Sequence, residues 1–237
     1  MDTSLIFKTL VILTSQLCIV FGLAYWFIHR CRRAHRDGHR FLAMKFEAHK
    51  NPRGERDLVP SNVQHWALQA GFFGWMIIVV CMLNFANDSE SIGLALMTLS
   101  SAFVGPLMGM LMMLTDENDG IRALKLTILT SIGLGVLGIN VGIDASGLRA
   151  VLLVGLLLLV LWHLIDALLG FSSNARQLGA TFGVILFAVY VFYHFNRLAQ
   201  LSEAQVNDWK TALEMAIQLY LDVLNLMLEF LGSSNDS

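Results

Sequence analysis

Residues 147–170 read GLRAVLLVGLLLLVLWHLIDALLG. The stretch is apolar on every side of a helix, whereas a helix at the surface of a soluble domain carries one apolar face. It also reaches the about 20 residues needed to cross a hydrocarbon core about 30 Å thick. Six further stretches meet the same two conditions, at about 5–28, 64–86, 91–114, 121–143, 176–199 and 210–231. Gly105-Pro106 and Gly133 with Gly135 interrupt two of them, which membrane helices tolerate when neighbours re-satisfy the backbone. The sequence therefore predicts an all-α polytopic membrane protein, a bundle of seven transmembrane helices.

Composition agrees. The 237 residues are 56% hydrophobic and 14% charged, with a mean hydropathy of +0.62. A soluble domain carries about 25% charged residues, so this chain cannot cover a water-facing surface. The connections Asn87-Asp88-Ser89-Glu90 and Asp116-Glu117-Asn118-Asp119-Gly120 are short and polar, which makes consecutive spans antiparallel neighbours. Cys18, Cys31 and Cys81 are scattered, so neither a disulfide framework nor a zinc site is indicated. The first span has no basic start and no small-residue cleavage site before Arg30, and is expected to stay as a helix rather than leave as a signal peptide.

Charge gives the orientation. Nine of the 16 Lys and Arg residues lie between Arg30 and Arg56, and the segment Arg30–Asp57 is net +5 while the remainder is net −7. A loop this rich in Lys and Arg is expected on the cytoplasmic side, with the N-terminus outside and Ser237 inside. The chain then divides into a first helix (1–29), a basic cytoplasmic loop (30–63), six further helices (64–232) and a polar tail (233–237). Phe41, Leu42, Lys45 and Phe46 could form a short interfacial helix on anionic headgroups, against the favoured reading of a basic stop-transfer region that only fixes topology. Arg30, Arg32, Arg33, Arg36 and Arg40 are the candidates for docking a membrane surface or a partner; a plain topology-fixing role is the alternative. Nucleic acid is excluded, for want of a folded scaffold to present the charge.

Ionisable residues inside spans are expensive and mark functional candidates. Lys8 lies near a span end and is expected to snorkel to the interface. His163 and Asp166 stand three apart on one helix face and are expected to pair. His194 sits late in the sixth span. In the seventh, Glu214, Gln218, Asp222, Asn225 and Glu229 follow at steps of 4, 4, 3 and 4, forming one polar stripe on an otherwise apolar helix. Such a stripe must face protein or water. Three carboxylates in register suit a cation or proton path, with Asp222 a possible metal ligand, and His194 and Asp222 could meet as a pH latch. A structural polar seam is the alternative. No nucleophile elbow, phosphate loop or zinc-protease motif occurs, so no enzymatic activity and no cofactor are expected.

The chain's last helix carries a further signal. Ala216-Ile217-Gln218-Leu219-Tyr220-Leu221-Asp222-Val223-Leu224-Asn225-Leu226, followed by Leu231-Gly232, resembles the last helix of the Bax inhibitor family, whose pattern there is A-x-x-L-Y-L-D-I-I-N-L-F ending in Leu-Gly. Tyr193-His194-Phe195-Asn196-Arg197-Leu198, Asp144-Ala145-Ser146-Gly147-Leu148, Phe103-Val104-Gly105-Pro106-Leu107 and Phe7-Lys8-Thr9 resemble, in order, parts of that family's sixth, fifth, third and first helices. The resemblance implies a bundle with a central last helix. It also implies a pH-sensitive calcium leak, or a modulator of membrane proteostasis and cell death. The family's leak uses two aspartates, one on each of the last two helices; here the last-helix position is Asp222 but the sixth-helix position is His194. Family members also keep the N-terminus in the cytoplasm, opposite to the orientation that the basic loop predicts.

Two functions compete at this level. In the first, a cation or proton leak, Asp222 relays or coordinates the ion, His194 is the latch, and Glu214 and Glu229 line the mouths, with Asn225, Asp166 and His163 beside the path. In the second, a non-conducting subunit binds another membrane protein, a protease or larger complex. Its close-packing faces would be Gly105, Gly109, Gly133, Gly135 and Gly138, and the basic segment its docking arm. The expected partners are the lipid bilayer, inorganic cations and such a membrane protein; the expected setting is a bacterial inner membrane or an organelle membrane.

Overall fold

The computed structural model describes residues 4–41, 44–50, 56–61, 65–86, 89–115 and 117–234. Leu42, residues 87–88, Asp116 and residues 235–237 of the polar tail lie outside the described residues, and with them parts of the connections and the interfacial segment expected from sequence. Seven helices are present: α1 Leu5–Arg36, α2 His65–Phe85, α3 Glu90–Thr115, α4 Glu117–Asn140, α5 Leu148–Leu169, α6 Ser173–Glu203 and α7 Trp209–Ser234. All seven are long and apolar enough to cross a membrane. The chain is an integral membrane protein of the all-α, polytopic class.

Its residues form two compact units, Thr14–Ile121 and Met1–Leu13 with Arg122–Ser237. In the first, α1 runs to Arg36, beyond the span that apolarity alone marks. Its 32 residues give a rod of about 48 Å, so Arg30, Arg32, Arg33 and Arg36 ride on a helix end rather than a loop. Basic residues in a last turn complement the partial negative charge there. All four are exposed, as is Arg40, and Arg30 lies 5.6 Å from the Trp26 ring centre.

The interfacial helix that this segment could have formed is not present among the described residues. Lys45–Lys50 (β1) and Arg56–Ser61 (β2) pair as an antiparallel hairpin, with Phe46 opposite Pro60 and Ala48 opposite Leu58. The physical reason is periodicity: Phe46-Glu47-Ala48-His49 and Leu58-Val59-Pro60 place their partners at every second position, which serves a strand and not a helix. Leu58 and Pro60 are buried, and Pro60 is tolerated because both strands of a two-stranded sheet are edges.

α2 and α3 pack together in the same unit, joined by a hydrogen bond from Trp75 Nε1 to Ser100 Oγ at 2.8 Å. Two of the predicted small-residue contacts are consumed here. A Cβ on Gly105 would meet the Val20 carbonyl, and one on Gly109 the Ala24 carbonyl.

The second unit holds α5, α6 and α7 in sequence. Burial ranks them: 67% of the spanning window of α7 is buried against 11% for α5, so the last helix is the core element of this unit and α5 presents its leucines to lipid. α5 stops at Gly170, whose φ of 67° lets the backbone turn back so that its N–H reaches Asp166 O. This left-handed position favours glycine. α6 follows after Ser172, so the turn 170–172 between two spans lies at the membrane surface.

Lys8 is buried rather than snorkelled into open interface. Its Nζ donates to the Asn207 carbonyl at 2.7 Å and sits 5.1 Å from the Trp209 ring centre, tying the start of α1 to the start of α7. Asp208 caps α7, accepting from the Thr211 N–H at 2.8 Å and from its hydroxyl at 2.9 Å. Those donors hold the Asp208 carboxyl below the usual carboxylate range.

Candidate functional site

The polar stripe on α7 divides in two. Glu214, Gln218 and Asn225 are half-buried, while Asp222 and Glu229 lie deeper, 7% and 9% exposed. Residues at steps of three and four drift around a helix by tens of degrees, which carries these two acids onto the packed shoulder. Each finds a histidine there.

Asp222 meets His194 of α6. Nδ1 of the ring lies 2.5 Å from Oδ2, and both side chains are buried. Tyr190 stacks on the imidazole at 5.9 Å and Tyr193 meets it edge-on at 5.1 Å. An isolated charge at this depth would be costly, and each group has the other as its partner. The predicted meeting of His194 and Asp222 is thus present in the structure.

Two residues further along α6, Asn196 ties the other end of the bundle together. Its amide donates to the Gly138 carbonyl at 3.1 Å, and its oxygen accepts from the Ala145 N–H at 3.2 Å and from Gln200 at 3.0 Å. Gly138 makes this approach possible, since a Cβ there would meet the Phe192 carbonyl. A cavity of about 320 Å³ opens at this end, lined in part by Asp144, Asn196, Gln200 and Glu203. The Ser146 N–H, donating to Asp144 at 2.8 Å, holds that carboxyl below its ordinary value.

At the opposite end of α6 a second cavity, of about 430 Å³, is lined by residues that include His163, Asp166, Arg176, Asn225 and Glu229. Here the expected pairing of His163 with Asp166 is replaced. His163 Nε2 lies 3.3 Å from Glu229 Oε1 on α7, and Asp166 Oδ1 instead accepts the Phe171 N–H at 2.7 Å. The reason is the end of the helix: the Phe171 N–H, just past Leu169, lies outside the helical ladder, and the carboxylate one turn back accepts from it. Gly183 accommodates Glu229, because a Cβ at that position would collide with its carboxyl carbon.

Glu229 and Asn225 therefore line a cavity, as does Asp166; Glu214 lines neither of these two cavities. Among the described residues no group of three or more His, Cys, Asp or Glu side chains could hold a metal ion. Asp222 has a histidine for its ion-pair partner and no second carboxylate beside it, a poor set for calcium, which takes six to eight oxygens. Gly135 and Gly138 pack against Phe195 inside this unit; only Gly133 of the five proposed contact glycines faces open space.

Sequence reasoning missed Arg176, Trp162, Asn196 and Gln200. The i, i+4 spacing of Asn196 and Gln200 near a span end was the available signal; Arg176 reads as an ordinary interfacial arginine until the cavity is seen. A family model described as "Inhibitor of apoptosis-promoting Bax1" matches residues 3–234, nearly the whole chain. No curated protein matches the chain.

Proposed function

The chain belongs to the Bax inhibitor family, and on that premise we propose that its bundle is a pH-sensitive leak whose conducted ion is the proton and whose gate is the His194–Asp222 pair. The observation that carries the reading is the position of that pair. It is buried and stands between two cavities at opposite ends of α6. Asn196, two residues from His194, lines one cavity, and Asn225, three residues from Asp222, lines the other. Along the helix axes these offsets are about 3 Å and 4.5 Å. A proton taken up by the pair from one cavity and released to the other crosses the narrow part of the bundle. When His194 is charged and bridged to Asp222, the pair is a salt bridge that offers a metal cation no net charge, which argues for protons over calcium.

The test is flux from proteoliposomes loaded with a pH or a calcium indicator, over an external range of about pH 5 to 8. Wild type should show a pH-dependent proton signal, and Asp222→Asn should lose it while remaining folded. Unchanged flux in the variant, or a flat response in both, sinks the reading; a calcium signal without a proton signal reassigns the ion.

A second reading rests on the exposed arginines Arg30, Arg32, Arg33, Arg36 and Arg40, as a docking arm for another membrane protein such as a protease. Removing residues 37–63 and neutralising Arg30, Arg32, Arg33 and Arg36 should then abolish co-purification of a partner and leave flux intact. Retained co-purification counts against it. The setting proposed for either reading is a bacterial plasma membrane.

A further inference from the structure

The 430 Å³ cavity has a feature that a proton path does not require. Four charged or titratable side chains line it: His163 and Asp166 from α5, Arg176 from α6 and Glu229 from α7. His163 and Glu229 are engaged with each other. Two unlike charges remain, and they do not neutralise one another. Arg176 donates its Nε to the Phe171 carbonyl at 3.3 Å and forms no ion pair with Asp166 or Glu229 among the described residues. Asp166 uses one carboxylate oxygen on the Phe171 N–H. The cavity wall thus presents a guanidinium in the first turn of α6 and a carboxylate oxygen on α5, held apart across open space.

Depth and an adjoining groove narrow the ligand class. Asp166 lies three residues before the end of α5 and Arg176 three residues into α6, both within about 5 Å of the surface turn along their axes. An apolar cavity of about 300 Å³, lined by Leu158, Trp162, Leu178, Gly179 and Phe182, shares Trp162 with the polar one. Leu158 and Phe182 lie about 14–17 Å from the ends of their helices, so the apolar groove runs from headgroup depth toward the middle of the membrane. Trp162 is the joint. Its indole N–H is turned against Gly179 and has no acceptor among the described residues.

We propose that the polar cavity and the groove together are a binding site for one phospholipid whose headgroup carries a phosphate and a primary ammonium. The phosphate meets Arg176, a guanidinium suited to it, with the N-terminus of α6 adding its partial positive charge. The ammonium meets the free oxygen of Asp166 and the Asn225 amide oxygen, and one acyl chain follows Trp162 into the groove between α5 and α6. A headgroup of net negative charge leaves Asp166 unmatched, and a quaternary ammonium has no N–H to donate.

The full-length protein in detergent tests this, titrated with phosphatidylethanolamine, phosphatidylcholine, phosphatidylglycerol or soluble phosphoethanolamine, with bound molecules counted by native mass spectrometry. One phosphatidylethanolamine should be retained in preference to the other two lipids. Arg176→Gln and Asp166→Asn should each weaken that retention about tenfold, with Arg176→Lys in between; Asn keeps the acceptor for Phe171 and Arg176 is exposed, so both variants fold. Equal retention of all three lipids by wild type and variants would leave only annular contact and overturn the proposal. So would soluble phosphoethanolamine binding as tightly as the lipid, which would make the ligand a free phosphate-amine and the groove irrelevant.

Discussion

Two histidine–carboxylate pairs hold α7, seven residues apart, and they are built from the same chemistry in opposite surroundings. In the His194–Asp222 pair the side chains are 11% and 9% exposed; in the His163–Glu229 pair they are 52% and 11% exposed. The first is closed over by Tyr190 and Tyr193, and the second opens on a cavity at the membrane surface. Burial decides what each can be. A pair closed off from solvent exchanges protons only along a path through the bundle, so it can act as a barrier. A pair in contact with water exchanges freely and serves as lining.

The sharpest way to break this comparison is to remove one partner from the buried pair. His194→Ala leaves the Asp222 carboxylate without its counter-charge, and losing one member of a buried pair costs about 3–5 kcal/mol. Thermal unfolding in detergent micelles near neutral pH should show the largest loss of stability of any single change at these pairs. Replacing both members by apolar residues, His194→Phe with Asp222→Leu, should recover most of it, because the penalty belongs to the orphaned charge rather than to the lost contact. A double variant as unstable as the single one would mean that the pair holds the helices together by attraction.

A carboxylate with no histidine gives the next effect and serves as a reference outside the spans. Asp208 is exposed and satisfied by two donors from Thr211. Asp208→Ala should cost about 1 kcal/mol, as loss of a helix N-cap does. The sign of its pH dependence follows from its carboxyl lying below the ordinary value when folded. Its contribution is present above the unfolded value, near 3.8, and is lost as pH falls through the lower folded one. Wild type and Asp208→Ala should therefore converge in unfolding temperature as pH drops below about 4; a constant gap would mean that the cap acts by packing.

How much of this was legible in the sequence follows the same division. The seven spans were readable because a membrane demands length and apolarity, which are local properties. Asp222 was readable because a carboxylate in the middle of a span has no bland surface explanation, and His194 because its span is otherwise poor in charge. The partner of Glu229 was not. On α5 the i, i+3 spacing puts His163 and Asp166 on one face, but the helix ends three residues after Asp166 before a glycine turn, and the Phe171 N–H takes the carboxylate first. Local spacing cannot weigh that competition against an acid arriving from α7. The hairpin was misread for a related reason. A basic, aromatic segment next to a membrane invites an interfacial helix, and its period-two pattern is short enough to be overlooked. Arg176 is meaningful only through Asp166 and Trp162 on another helix, a relation that no single stretch contains.

The smallest expected effect comes from the second pair and is the one that most sharpens the contrast. Glu229→Gln keeps the shape of the side chain and an oxygen that can accept from His163, and it removes one charge. His163 is half in contact with the cavity, so solvent takes over part of what the carboxylate supplied, and exposed ion pairs contribute under about 1 kcal/mol. Unfolding temperature should fall by far less than in His194→Ala. In the same proteoliposomes the pH-dependent proton signal should persist at reduced size, since the cavity lining has changed and the gate has not. A Glu229→Gln variant that loses the signal as completely as Asp222→Asn would place the gate at the cavity wall, and burial would no longer be what distinguishes the two pairs.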